Sequence, residues 1–347
     1  MTVVDGHSHL IMEIAHRRNT GETSVFSRHY AEQVRKGGVN VIMMNVGGDI
    51  SGFTGGSDQT LWGTLWIMDA LKAEAQESSD TMAICRSHAE IVTALEEKKV
   101  AFVMGVEGGR VLEGKPDLDN LVSLHTLYEL GLRHLQPIAM GRNRLGDGDA
   151  EPRTGGHLTE FGREIITEAD RLGMILDTAH MQEAGFWECL EVAKGPVLNS
   201  HSNCKTICDH RRNLTDAQIK AIGQRNGVVC LTSSSSFTSK EPVYGKQASI
   251  NQWIDHVVHI ASIAGIGHVG IGADFDDFPI GPTIWTPAPG FVEGRWYGTD
   301  MHMIKDFDNI SSFGNIIDGL EKRQFKDDEI AKVMGGNMLR FYEQVLI

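Results

Sequence analysis

A barrel of eight parallel strands alternating with helices, (β/α)8, is the fold class this sequence predicts. Two observations predict it. Short, nearly continuous apolar runs recur along the chain with helix-like segments between them, which is how parallel strands buried on both faces read. Polar residues then fall at the ends of those runs with unusual regularity, as they do at the C-terminal mouth of such barrels.

The runs come in order. Val3-Val4-Asp5 begins the first. Residues 39–46, 100–106 and 132–138 follow, the last being the weakest. Residues 174–177, 196–199, 227–232 and 269–273 complete eight. Between them, residues 87–98 carry apolar side chains at helical spacing. Residues 159–172 start on a Thr and continue through Phe161, Ile165, Ile166 and Ala169. Residues 215–224 open with an N-cap signal, and 327–345 form a closing helix. A doubly wound sheet is the alternative, but no strand leads into a G-x-G-x-x-G loop. A single domain spanning residues 1–347 is within the range of one barrel with insertions. Two long loops, 47–57 and 276–297, follow strands and so belong on the C-terminal face.

Bulk properties bound the partners. The formal charge is −14, from 32 basic and 46 acidic residues, which repels phosphate backbones and argues against nucleic acid. No run reaches the roughly 20 apolar residues a membrane span needs. The first residues lack a basic segment followed by a long apolar one, so a cytoplasmic location is the expectation. Five cysteines with no C-x-x-C spacing fit reduced thiols. Cys204 and Cys208 follow His201, yet a structural zinc site needs four closely placed ligands.

The chemistry sits at the strand ends. The first run ends in Asp5-Gly6-His7-Ser8-His9, the third in Glu107-Gly108-Gly109, the fifth in Asp177-Thr178-Ala179-His180 and the sixth in Ser200-His201-Ser202. Residues i and i+2 of a strand share a face, so His7 and His9 can aim inward together. In a closed barrel these ends converge, and imidazoles with a carboxylate suit zinc and related ions. Each residue alone has a bland reading: H-x-H is weak, a buried Glu is commonly ion-paired, and a lone histidine is commonly a satisfied core residue. Four of 15 histidines at the ends of three barrel strands make the joint pattern a metal site. His16, His29, His88, His125, His157, His256 and His259 lie in helical or loop segments and read as surface residues.

Asp274 ends the eighth run, where its carboxylate can take a proton from metal-bound water and pass it on. Asp276 shares its face and competes for that role, but Asp274 is nearer the strand. Arg212, between the sixth run and the helix at 215, is either solvated or a fork for a substrate carboxylate.

Several blocks in one order carry a resemblance over nearly the whole chain. They include Asp5-Gly6-His7, Gly105-Val106-Glu107-Gly108-Gly109, Leu145-Gly146-Asp147-Gly148, His201-Ser202-Asn203, Arg212-Asn213-Leu214-Thr215-Asp216 and Gly270-Ile271-Gly272-Ala273-Asp274-Phe275-Asp276. In these the chain resembles the membrane (renal) dipeptidase family, the M19-type zinc dipeptidases of the metal-dependent amidohydrolase superfamily. The resemblance implies a two-zinc site, with His7 and His9 on one ion, Glu107 bridging, and His180 and His201 on the other. It implies Arg212 on the substrate and Asp274 as proton shuttle, cleaving a dipeptide or dipeptide-like amide with a metal-bridged hydroxide. It also suggests a homodimer and a small, carboxylate-bearing substrate.

Two departures stand out. The family's H-x-D is here His7-Ser8-His9, which removes one negative charge from the metal shell. The family's histidine after the fourth strand is missing from Ile138-Ala139-Met140-Gly141-Arg142-Asn143. Losing such a donor costs about 3 kcal/mol of transition-state stabilisation unless replaced, and Arg142 or Asn143 are the candidates. These departures leave room for a non-peptide amide, lactam or lactone as substrate, or for a mononuclear decarboxylase or lyase.

Overall fold

The computed structural model describes residues 1–49, 61–113, 121–239, 247–275 and 303–347. Its strands are β1 (Val3–Ser8), β2 (Val39–Gly48), β3 (Met82–Ile84), β4 (Val100–Glu107), β5 (His134–Gln136), β6 (Ile175–Leu176), β7 (Leu198–Asn199), β8 (Val228–Leu231) and β9 (Val269–Ile271). All paired strands are parallel. One sheet runs β1-β2-β4-β5-β6 and a second runs β7-β8-β9. A parallel bridge, Asp177 to Leu198, joins them on one side. On the other, Asp274 N–H donates to His7 O at 3.2 Å, and Ala273 N–H donates to the Asp5 carboxylate at 2.9 Å. The eight expected runs are thus the eight staves of a (β/α)8 barrel. The extra strand, β3, is only three residues long and pairs with the lower half of β4, on the edge β5 uses higher up.

Period-two alternation sorts the strand residues into two cores. Val3, Ile42, Met44, Phe102, Met104, Leu135, Leu176, Val229 and Ile271 face outward to the helices. Val4, Val41, Ala101, Val103, Ile175, Leu198, Val228 and Cys230 face the axis. There they meet Met338, Phe341 and Tyr342 of the last helix, Asn337–Val345, which plugs the N-terminal end. Higher up, the same inward register turns polar. On β4 the inward positions run Ala101, Val103, Gly105, Glu107. Gly105 has a steric reason: a Cβ there would lie 2.3 Å from His134 Nδ1. His134 in turn donates from Nε2 to Asp177 Oδ2 at 3.0 Å, both fully buried. An apolar floor, a polar middle layer and a histidine-rich mouth are stacked by one alternation.

The helix starts fall where the capping residues place them. Ser87, Thr159 and Thr215 each accept a backbone N–H of the first turn, at Glu90, Gly162 and Gln218. The closing helix differs from expectation. It breaks into Asp327–Ala331, a wide turn Lys332–Gly336, and Asn337–Val345. At the break β1 crowds the backbone: a Cβ on Gly335 would lie 2.5 Å from Thr2 O. His256 also departs from its expected surface role. It is fully buried, with Nδ1 accepting Cys204 N–H at 3.0 Å and Nε2 donating to Thr238 O at 2.9 Å. All five cysteines are buried free thiols. The two expected long loops fall, from residue 50 and from residue 276 onward, outside the described residues, and Asp276 with them.

Candidate metal centre

His7 ends the inward face of β1, while His9 has already left the strand. His9 is the N-cap of the helix Leu10–Asn19, and its ring turns back toward His7. Their Nε2 atoms are 3.2 Å apart, and each lies 3.2 Å from Glu107 Oε2. Across the mouth the other carboxylate oxygen, Oε1, lies 3.0 Å from His180 Nε2 and 3.8 Å from His201 Nε2. His180 follows β6 with φ of 64°, a left-handed backbone that costs a residue with a Cβ about 1–2 kcal/mol. His201 follows β7, its ring centroid 3.7 Å from that of His7.

These residues fit a metal. Donor atoms around a tetrahedral ion bound at 2.0–2.1 Å stand about 3.3 Å apart, close to the spacing of the His7, His9 and Glu107 atoms. His201 Nε2 and Glu107 Oε2 are buried without a hydrogen-bond partner, which a metal would supply. The remaining ring nitrogens are mostly engaged. His7 Nδ1 is 3.2 Å and His201 Nδ1 2.7 Å from Ser200 Oγ, and His180 Nδ1 is 2.8 Å from Asp149 Oδ1. Three overlapping groups, His7–His9–Glu107, Glu107–His180–His201 and His7–His201–Asp274, each hold their donor atoms within 4.8 Å of one another.

The electrostatics call for a cation. Burial works against a charged His9, but the carboxylates of Asp274 and Glu107 push its pKa up to about 10. Burial likewise opposes a charged Glu107, yet His7, His180 and His9 hold its carboxyl well below the usual range. His201 is driven well below the ordinary histidine value by burial, with His7 and Arg212 adding repulsion, so it offers a neutral lone pair. Burial raises Asp5 to about 7 against the backbone N–H groups of Ala273 and His7.

Asp274 also has a left-handed backbone, φ 55°, which turns its carboxylate into the mouth. Its Oδ1 stands 3.5 Å from His9 Nε2 and 3.6 Å from His7 Nε2, with a quarter of the side chain (24%) exposed. Burial opposes its ionisation, but the hydrogen bond from His9 and the charge of His7 lower its pKa. Arg212 is buried: Nη2 donates to His201 O at 3.0 Å, Nη1 reaches Ser202 Oγ at 3.5 Å, and Nε has no partner. The two stand-ins for the missing histidine are placed differently. Asn143 is buried, donating to Asp49 Oδ2 and Pro137 O and accepting the N–H groups of Leu145 and Gly146. Arg142 is exposed (61%), and its guanidinium is tied to Asp147 through two hydrogen bonds.

Three supporting residues were not singled out from the sequence. Asn45 is the polar member of the inward β2 register, and its Nδ2 lies 3.0 Å from His7 Nε2. Its signal was a polar residue two places after Met43 on the face that Val41 turns inward. Asp149 holds His180 and lies 3.2 Å from Arg211 Nε; it stands two residues after Asp147 of a family block. Ser200 adjoins His201 and faces two rings at once.

A parallel barrel with histidines and a shared carboxylate at its mouth defines the class of barrel metallohydrolases. Within that class, the chain belongs to the membrane dipeptidase family (peptidase family M19), whose model matches residues 1–287. It is 26% identical over 284 residues to dipeptidase tcpJ of Claviceps purpurea, covering 81% of this chain. It spans about 60% of the length of that relative. An uncharacterized dipeptidase of Schizosaccharomyces pombe is 25% identical over 98% of this chain and 80% of its own. In fold, the chain is similar to a metallopeptidase from Rhodobacter sphaeroides solved with a phosphinate mimic of the dipeptide L-Ala-D-Ala. That similarity has a TM-score of 0.82 at 20% identity and covers 99% of both chains.

Proposed function

We propose that this protein is a metal-dependent hydrolase that cleaves a dipeptide or a dipeptide-like amide at a two-ion centre. The observation that carries the proposal is the division of Glu107: one oxygen faces His7 and His9, the other faces His180 and His201. His7, His9 and Glu107 would hold one ion, and Glu107, His180 and His201 the other. The imidazole and carboxylate donors suit zinc. When bound, such ions supply a water acidified toward pKa about 7 and polarisation of the scissile carbonyl.

The chain's own residues do the rest. Asp274 is a carboxylate at neutral pH, close to the His7 and His9 donor atoms and reachable from solvent. It takes the proton of the attacking water and delivers it to the departing amine nitrogen. Arg212, fixed by His201 O and with Nε unspent, presents a positive charge for a substrate carboxylate. Asn143 spends its amide protons on Asp49 and Pro137 O and its oxygen on the N–H groups of Leu145 and Gly146. Arg142, held to Asp147 by two of its five guanidinium N–H groups, can turn another toward a carbonyl. A homodimer in the cytoplasm is part of the same proposal, with light scattering of the purified protein and cell fractionation as its checks.

A second reading has one specific observation in its favour. His9 supplies a neutral donor where the family has a carboxylate, so a non-peptide amide, lactam or lactone is the alternative substrate. A panel of dipeptides and non-peptide amides assayed on zinc-loaded protein separates the two. Release of free amino acids supports the first; turnover of the other amides alone supports the second. No turnover in any metallated form contradicts both.

A further inference from the structure

Ser200 follows β7 on the inward face and is fully buried. Its hydroxyl oxygen lies 3.2 Å from His7 Nδ1 and 2.7 Å from His201 Nδ1. The two rings belong to opposite halves of the centre. A ring that gives its Nε2 lone pair to a metal must carry its proton on Nδ1. Both Nδ1 atoms are then donors, and both point at one oxygen. A hydroxyl oxygen has two acceptor lone pairs and one O–H to give, so it can satisfy both rings and still donate.

A buried carboxylate holds the residue in place. Asp177 is buried and accepts the N–H groups of Ser200 and Ala179 and the Nε2–H of His134, each at 3.0 Å. The Ser200 hydroxyl is among the groups that hold the Asp177 carboxyl below its ordinary value against the cost of burial. The buried carboxylate thus holds Ser200 through its backbone N–H, and the hydroxyl of the residue so held meets both imidazoles.

We infer that Ser200 is a positioning residue shared by both halves of the metal centre, fixing the Nδ1–H tautomer of His7 and His201 through a single oxygen. The inference rests on the two-ion reading above. It couples the two ions through a contact that Glu107 does not make. Asp149 provides the contrast, since it braces His180 alone.

The test is zinc binding by chelator competition on wild type, Ser200→Ala and Asp149→Asn, with melting of each apoprotein as the folding control. Losing an outer support of a metal-bound histidine costs about 10–100-fold in affinity. Wild type is expected to take two zincs. Ser200→Ala should weaken both binding steps by that factor, and Asp149→Asn only one. If wild type binds two zincs and Ser200→Ala weakens one step or neither, the inference is overturned while the two-ion reading stands. If wild type binds one zinc, the two-ion reading itself has failed. A variant-free measurement backs the first: in zinc-loaded protein labelled with 15N-histidine, His7 and His201 should each show a solvent-protected Nδ1–H. A proton on Nε2 of either ring overturns the inference.

Discussion

The two halves of the mouth are built differently. His7 and Glu107 sit at the ends of long strands, six residues in β1 and eight in β4, and His9 follows directly. His180, His201 and Asp274 come after strands of two or three residues, and two of the three have left-handed backbones. On the first side, sheet register aims the side chains. On the second, individual turns and the Asp149 prop do it, while Ser200 reaches one ring of each half. Register is robust to single substitutions, whereas a prop is one hydrogen bond deep. The second half should therefore be the more sensitive to changes outside His180 and His201 themselves.

Glu107 is common to both halves, so its loss should be the largest effect. Glu107→Gln is expected to abolish retention of both ions and to cut turnover by more than about 100-fold, beyond what losing a supporting residue costs. Elemental analysis after dialysis checks it; retention of one ion would show that the halves are independent. Asp274→Asn should keep both ions and lower kcat by about 10²–10⁴-fold, the contribution of a positioned acid–base group. Steady-state kinetics with metal content on the same sample is the readout, and lost metal would mean Asp274 is a ligand. His9→Asp should tighten the first ion about tenfold by restoring a negative donor, within the range such shell changes span. Chelator competition measures it, and a weakened first ion would show that His9 is better adapted to this site.

A smaller effect concerns the support beneath the second half. His256 accepts at Nδ1 and donates at Nε2, so a second ring proton would face the Cys204 N–H. Burial depresses its pKa from 6.5 to about 4, against the hydrogen bond to Thr238 O and the charge of Asp255. The unfolded chain then binds the proton first, and stability contributed by the neutral ring is complete above pH 6.5. It is lost as pH falls from 6.5 toward 4, by at most about 3 kcal/mol. Urea denaturation across that range should show the slope in the apoprotein. His256→Gln should flatten it, and an unchanged slope would remove His256 as its source.

The same contrast explains what was legible in the sequence. The eight staves were readable because strands buried on both faces are apolar throughout. β3 was not, because three residues of 82–84 carry too little pattern. Glu107 was readable from its strand, and His7 with it. His9 was paired with His7 by a period-two rule, although it occupies a helix N-cap; the turn delivers its ring to the same point. His180, His201, Arg212 and Asp274 gained their weight from joint placement and from the family blocks, since no periodicity governs a turn. Asp149 and Ser200 act through other side chains, and only coordinates place a prop beneath its ligand. His256 misled because its helix, Ile250–Ala264, has a buried face on which a histidine can be satisfied by backbone alone.

The central claim is a pair of ions sharing Glu107, working on a dipeptide. Metal content by elemental analysis, with dipeptide turnover assayed on the same purified sample, tests it most directly. About two zincs per chain together with release of free amino acids is the predicted result. One ion or none, with dipeptides untouched in every metallated form, would contradict it.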